Sequence, residues 1–373
     1  MRPLRIGLTG SGFIAQVHYD AVKAISRAEN VEVAALYARN AKKGKEFCKR
    51  NAVPEYFDDY DRMLRYANLD LVAIGVPNYL HAKMTMAALR KGLHVMCEKP
   101  LAITLKDADK MIDTAKKQGV LIGYAEELCY VPKFRRMKEL ADQGAIGDVY
   151  YVKQCEKHGG PYSDWFFEPK LAGGGILMDM GCHSLEFCRW FFDKPRVSSV
   201  YAHMGTYRHI DRPPVEDHVV VHLEFGNGKT ALVESSWALQ GGMDSIAEAY
   251  GVNGVVYADL LRGSGLRCFS EKGYIDYGGF GDKVNGWHFP GYEWSFENGY
   301  PQEFQDLVHC IRNGGTPVET AQDGRDVLEI MLAAYWSAAT GKKIELPFDP
   351  PGVKVPVDLW LRPGRYAKKM EAN

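Results

Sequence analysis

The sequence lacks an excess of charge of either sign. Its 46 basic and 47 acidic side chains leave a formal net charge of −1, with no block of like charge. The electrostatic case for a nucleic-acid or anionic-membrane partner falls away. It lacks a long apolar run as well: nothing approaches the roughly 20 residues that span a bilayer. The chain starts in a strand, not in a signal-peptide pattern. Its eight cysteines, at 48, 97, 129, 155, 182, 188, 268 and 310, include no C-x-x-C pair. Scattered in this way they read as reduced thiols of a cytoplasmic enzyme, against a disulfide frame or a zinc site. Internal repeats and low-complexity segments are missing too. What remains is 373 residues, 46% hydrophobic and 25% charged. That is a soluble globular composition too long for one ordinary core, so two domains are expected.

The most informative stretch is the first. Leu4, Ile6 and Leu8 form a short apolar run, and Ile14, Val17, His18, Ala21, Val22 and Ile25 recur at helical spacing. Between them lies Gly10-Ser11-Gly12-Phe13-Ile14-Ala15. Strand, glycine turn and helix make the setting in which Gly-x-Gly-x-x-Ala signals dinucleotide binding. Gly10 permits the tight turn, Gly12 lets the backbone approach a pyrophosphate, and Ala15 keeps helix and strand close. The unpaired N–H groups of the helix start would face the phosphates. The competing reading is an ordinary tight turn between strand and helix.

Val31–Tyr37 reads as a second buried strand. A dinucleotide site that prefers NAD expects a carboxylate beyond it, on the ribose hydroxyl. Here the strand ends in Tyr37-Ala38-Arg39-Asn40. An arginine in place of a carboxylate suits a 2′-phosphate, so NADP(H) is favoured and NAD(H) is possible. The alternative is a solvated Arg39 with NAD held by backbone contacts. Asp58–Arg65 predicts a short helix and Leu69–Val76 a strand, with Pro77-Asn78 at its carboxyl end, where ligand loops gather. His81–Lys91 predicts a helix stopped by Gly92. Leu93–Cys97 is a strand running into Glu98-Lys99-Pro100, and a helix over 105–118 leads to the strand Val120–Tyr124. Cofactor contacts are therefore expected from Gly10, Ser11, Gly12, Phe13, Ile14, Ala38, Arg39, Asn40, Pro77, Asn78, His81, Glu98 and Lys99.

After Tyr124 the rhythm changes. A helix over Phe134–Gln143 and a strand over Val149–Glu156 precede Gly173-Gly174-Gly175, which opens a helix to about Phe192. Strand-like runs follow at Val197–Met204, Asp217–Phe225, Lys229–Trp237 and Ile246–Gly251, with a hairpin turn at Gly226-Asn227-Gly228. Residues 260–300 show no period and read as loops. Helices over Tyr300–Asn313 and Asp323–Thr340 precede a proline-rich tail. The predicted class is α/β: a Rossmann domain over 1–124, then an α+β domain over 125–373 with an open, largely antiparallel sheet. The last helices and the tail are expected to pack back toward the first domain.

Two segments carry candidate chemistry. Lys99 at a strand's carboxyl end could stabilise a developing alkoxide beside a cofactor; the plain alternative is an exposed lysine. Asp179 and His183 sit at i and i+4, so carboxylate and imidazole can share a helical face. Histidine suits a base near neutral pH, with Asp179 binding a substrate hydroxyl or holding the imidazole. The pair could equally be structural, or ligate a metal, although no third ligand is spaced to match. His158, Tyr162 and Trp165 combine polar groups with aromatic faces suited to a sugar, or anchor a loop. Glu126, after the last Rossmann strand, lines a cleft or carries surface charge.

The ordered segments Gly10–Ala15, Val76–His81, Gly92–Ala102, Gly173–His183 and Ser337–Gly341 resemble the glucose–fructose oxidoreductase / inositol dehydrogenase / MocA family over nearly the whole chain. The most specific are Glu98-Lys99-Pro100 and Asp179-x-x-x-His183 after a glycine run. The resemblance implies reversible hydride transfer between a nicotinamide and a sugar, cyclitol or related polyol. It implies Lys99 as the EKP lysine, Asp179 as the substrate-binding carboxylate and His183 as general acid/base, in a cleft between the domains. It implies a homodimer or homotetramer through the C-terminal sheet. Where many members carry Asp, this chain has Ala38, and Ala125-Glu126-Glu127 replaces a segment that often holds Asn or Arg. Other uses of the fold are a redox-assisted glycosidase and a non-catalytic dinucleotide sensor.

Overall fold

The structure, a computed structural model, describes residues 2–261, 268–274, 284–288 and 294–370. Strands and helices alternate through the first third: β1 (Leu4–Thr9), α1 (Phe13–Ile25), β2 (Val31–Tyr37), α2 (Ala41–Asn51), β3 (Glu55–Phe57), α3 (Tyr60–Tyr66), β4 (Leu71–Ile74), α4 (His81–Leu89), β5 (His94–Glu98), α5 (Leu105–Gln118) and β6 (Ile122–Ala125). There follow α6 (Pro132–Asp142), β7 (Val149–Lys157), α7 (Pro169–Ala172), a π-helical turn (Leu177–Gly181) and α8 (Cys182–Phe191). The strands β8 (Val197–Gly205), β9 (His218–Phe225), β10 (Thr230–Ser236), β11 (Asp244–Gly251) and β12 (Gly254–Asp259) come next. After them lie β13 (Cys268–Tyr274), β14 (Val284–His288), α9 (Trp294–Glu297), α10 (Tyr300–Asn313), α11 (Ala321–Thr340), β15 (Ile344–Glu345), α12 (Asp358–Leu361) and α13 (Gly364–Met370).

The first compact unit gathers Met1–Ala102, Lys106–Tyr130 and Asn298–Arg325. Its six strands run parallel in the order β3-β2-β1-β4-β5-β6. That is the doubly wound order, whose direction reverses between β1 and β4. A parallel sheet covered on both faces needs apolar residues at nearly every position. Leu71–Ile74 is buried throughout, and Ile6 and Leu8 are fully buried. The unit is discontinuous in sequence, where a reading by rhythm places one boundary at 124. Helix α10 joins it through side chains: Phe304 meets the His18 ring edge-on at 5.2 Å, and Gln305 Nε2 donates to Glu29 at 2.7 Å.

The second unit comprises Ile103–Leu105, Val131–Glu297 and Asp326–Asn373. Its sheet has the order β12-β11-β7-β10-β9-β8-β15. β7 and β10 are parallel, and the other described pairs are antiparallel. Burial alternates strictly along β9, so one face is core and the other open. On the core face α8 packs against β7 and β10 and is buried from end to end.

Two expectations need correction. Residues 260–300 are not all loop: β13 and β14 pair antiparallel, and α9 follows them. The segment mixes glycine with aromatics, so no period marks its strands. The helix after the triple glycine also does not start at Gly173. That residue, at φ +91°, ends α7, and the chain enters α8 through the wider π turn that carries Asp179.

Candidate active site

At the carboxyl edge of the parallel sheet, Gly10 takes φ +85°, and a Cβ there would lie 2.6 Å from the Gly75 carbonyl oxygen. Only glycine makes that turn. Gly12 caps α1 without a side chain, and a Cβ on it would meet nothing within 4 Å. The first N–H groups of a helix lack intrahelical partners, and no acidic residue stands in the first turn of α1. An open glycine beside unpaired donors fits a pyrophosphate. Ser11 is half-buried, Phe13 exposed and Ile14 half-buried at this turn. Thr9 Oγ1 ties the strand ends together, donating to Ala73 O at 3.0 Å and accepting from Gly75 N at 2.9 Å.

At the end of β2, Ala38 is buried, and its carbonyl accepts from Tyr56 Oη at 2.9 Å. Arg39 is exposed; Asn40 spends its side chain capping α2, accepting from Lys43 N at 3.0 Å. Beyond β4, Pro77 is half-buried and Asn78 buried. Both ring nitrogens of His81 meet backbone carbonyls, Pro100 O at 2.8 Å and Val76 O at 2.7 Å. The ring thus pins the loop after β4 to the loop after β5. Its burial lowers the imidazole's affinity for a proton, against those two hydrogen bonds.

Lys99 follows β5, half-buried. Glu98 beside it is buried, and its Oε1 stands 2.8 Å from His18 Nε2. Burial would raise this carboxyl, but the hydrogen bond from His18 and the charges of His18, Lys99 and His81 hold it below its usual range. Glu303 of α10 behaves oppositely. Burial drives its carboxyl well above the usual value, reinforced by Glu98, Glu127, Glu126 and Glu319. Crowded carboxylates oppose one another's ionisation, so this pocket favours the protonated form of Glu303. Glu126 is fully buried, which removes the surface-charge reading. Glu127 accepts from Tyr300 Oη at 3.2 Å.

In the second unit, the π turn holds Asp179, and Trp237 Nε1 donates to its Oδ2 at 2.9 Å. His158 accepts from Gly160 N through Nδ1 at 2.9 Å, which leaves the proton on Nε2, 3.8 Å from the same Oδ2. His183 is buried, one turn further along. Tyr162, exposed, stacks on His158 with centroids 5.3 Å apart; Trp165, half-buried, stacks on Phe166 at 3.9 Å. A buried carboxylate, two imidazoles and aromatic faces can orient a hydroxylated molecule and move its protons.

The structure therefore places the expected residues in two constellations, one per unit. Sequence reasoning missed His18, Glu303, Trp237 and Glu216. His18 lay hidden in the apolar stripe of α1, and Trp237 closes a strand-like run. Glu216, beside Asp217 at the head of an apolar strand, was the one visible signal.

A doubly wound dinucleotide edge ending in a lysine, with a buried Asp–His pair, defines a Rossmann-type oxidoreductase. Comparison agrees. Residues 4–126 match the pattern "Oxidoreductase family, NAD-binding Rossmann fold", and residues 134–257 match the "GFO/IDH/MocA C-terminal domain". The crystal structure of GenD2 from gentamicin A biosynthesis in complex with NAD superposes with a TM-score of 0.86. It is 30% identical, over 93% of this chain and 97% of that one. D-Glucoside 3-dehydrogenase of Escherichia coli (strain K12) is 25% identical, over 92% of this chain and 98% of its own length. Myo-inositol 2-dehydrogenase of Thermotoga maritima is 24% identical, over 92% and 98%. The chain belongs to the GFO/IDH/MocA oxidoreductase family. Among the described residues, no helix is long and apolar enough to cross a membrane.

Proposed function

We propose that the protein moves hydride between a nicotinamide dinucleotide and the carbinol or carbonyl carbon of a sugar, cyclitol or related polyol. The observation that carries this reading is Asp179, buried, oriented by Trp237, and one helical turn before His183. When bound, the nicotinamide supplies the hydride acceptor. Gly10, Ser11 and Gly12 would hold its pyrophosphate, with Pro77, Asn78 and Lys99 along the same strand-end edge. His183 takes the hydroxyl proton as general base. Lys99 stabilises the developing negative oxygen. Asp179 accepts a hydrogen bond from an adjacent hydroxyl and so selects the carbon presented for oxidation. Tyr162, Trp165 and His158 offer faces and donors to the rest of the ring, and Glu126 is a candidate substrate contact in the first unit.

Arg39, with no carboxylate at the end of β2, supports a preference for NADP(H), with NAD(H) also accepted. The cysteines outside any disulfide among the described residues, Cys97 and Cys188 for example, suit a reducing compartment such as the cytoplasm. The open face of the second sheet exposes Tyr201, Tyr257 and Val255. Exposed aromatic and apolar side chains on a sheet face are one mark of a protein contact, which supports a homodimer or homotetramer through this sheet.

The test is a panel of sugars, cyclitols and polyols with NAD+ and NADP+, followed by reduced-nicotinamide absorbance. Turnover of one polyol class supports the reading. Cofactor binding with no turnover across the panel sinks it and leaves a sensor. Release of sugar from an aryl glycoside without net cofactor reduction would indicate a redox-assisted glycosidase.

A further inference from the structure

The start of the helix that bears Asp179 and His183 is held by a single residue. Gly175 N donates to both carboxylate oxygens of Glu216, at 3.0 and 3.1 Å, and Leu177 N donates to Oε1 at 3.1 Å. Between them, Ile176 N donates to the main-chain oxygen of Glu216 at 3.0 Å. Three consecutive N–H groups of a helix start, normally without partners, thus end on residue 216. Tyr335 Oη adds a fourth donor, to Oε1 at 2.7 Å. The triple glycine makes room for this arrangement. A Cβ on Gly174 would lie 1.9 Å from Tyr335 Oη, and one on Gly175 would lie 2.0 Å from Glu216 O.

The clamp reaches Asp179 from two sides. Asp179 N donates to the oxygen of Gly175 at 3.2 Å, so its backbone hangs from the residue that Glu216 grips. Its carboxylate is held by Trp237, whose own N–H donates to Asp217 O at 2.8 Å. Two adjacent residues at the head of β9 therefore set both the backbone and the side chain of Asp179.

We propose that Glu216 is a positioning residue for the reaction, clamping the π turn so that Asp179 and His183 are presented together. This rests on the function proposed above. The ionisable group facing the Glu216 carboxylate is Tyr335 from α11, whose hydroxyl in turn feels the Cys182 thiol at the start of α8. Asp217 points elsewhere, accepting from Tyr207 N, Arg208 N, His209 N and His209 Nδ1. Burial pushes the Glu216 carboxyl up to about 7, opposed by the hydrogen bonds from Tyr335 and the main chain. A proton gained as pH falls through that value removes acceptor capacity from the clamp.

The experiment compares wild type, Glu216→Gln and Tyr335→Phe in two readouts. One is the pH profile of kcat with the best polyol from the panel. The other is amide hydrogen exchange of residues 173–183 without substrate. Glu216→Gln is expected to lower kcat about 10- to 100-fold, leave dinucleotide Kd unchanged, remove one ionisation from the acid limb so that only that of the general base remains, and speed exchange in that segment. Tyr335→Phe removes a donor that lowers the Glu216 carboxyl, so the acid limb moves to higher pH. Wild-type exchange and an unmoved pH profile in both variants would overturn the proposal, as would a general loss of stability with the profile unmoved. If Glu216→Gln does not fold, Tyr335→Phe alone decides by the same criteria. A wild type that turns over no polyol defeats the proposed function, while the exchange comparison still judges the clamp.

Discussion

At the scale of the residue, the proton and the alkoxide are assigned to different side chains. His183→Ala and Lys99→Ala are each expected to lower kcat by about 10²-fold or more, with dinucleotide Kd nearly unchanged in fluorescence titration. Wild-type turnover in either variant would remove that residue from the mechanism. Arg39→Ala should raise KM for NADP+ and leave KM for NAD+ as it was. Glu303 permits a test on stability alone. Its carboxyl is raised by burial and by its carboxylate neighbours, so its stabilising contribution is complete below the ordinary carboxylate range. That contribution is lost as pH rises through the raised value. The Tm of the wild type should therefore fall more steeply than that of Glu303→Gln as the solution is made alkaline. Parallel curves would show that Glu303 is not held neutral. Lys99, Asp179 and His183 could be singled out as candidates in the sequence because each lies in a short local pattern that the family resemblance makes specific. Glu303 and Trp237 were not, because their roles come from what is buried around them.

At the scale of the element, two glycines two positions apart in one turn serve different ends. Gly10 is needed by the fold: its φ is +85° and a carbonyl oxygen blocks a Cβ. Gly12 is not required by packing, since a Cβ there meets no protein atom within 4 Å, and in the proposed function it is the dinucleotide that needs the space. Gly10→Ala should lower the Tm of the ligand-free protein. Gly12→Ala should leave that Tm in place and weaken dinucleotide binding about tenfold or more, the worth of one crowded contact. Thermal unfolding with and without the dinucleotide separates the two. Gly174→Ala, pressed against Tyr335, should cost about 1–3 kcal/mol of stability, read by denaturant unfolding. The parallel strands were legible because unbroken apolar runs such as Leu71–Ile74 suit little else. The strands β13 and β14 were not, and neither was the π turn, which no local pattern of residues 173–183 announces.

At the scale of the whole molecule, the second sheet has one core face and one open face. Leu232 on β10 stands half-buried between Thr230 and Glu234 on that open side. Leu232→Glu is expected to shift the protein toward monomer in light scattering after size exclusion, with the Tm of the subunit little changed. An unaltered mass would move the oligomer contact elsewhere. By itself the amino-acid sequence determined the doubly wound sheet, the glycine turn, and the order of the segments that carry the family pattern. Local periodicity and short motifs are written in neighbouring residues, so the chain alone suffices for them. Only the tertiary structure decided that burial raises the Glu303 carboxyl while His18 and its neighbours lower that of Glu98, and that residue 216 holds the turn before His183. Those outcomes depend on desolvation and hydrogen bonds between residues tens to hundreds of positions apart, and no local pattern encodes them.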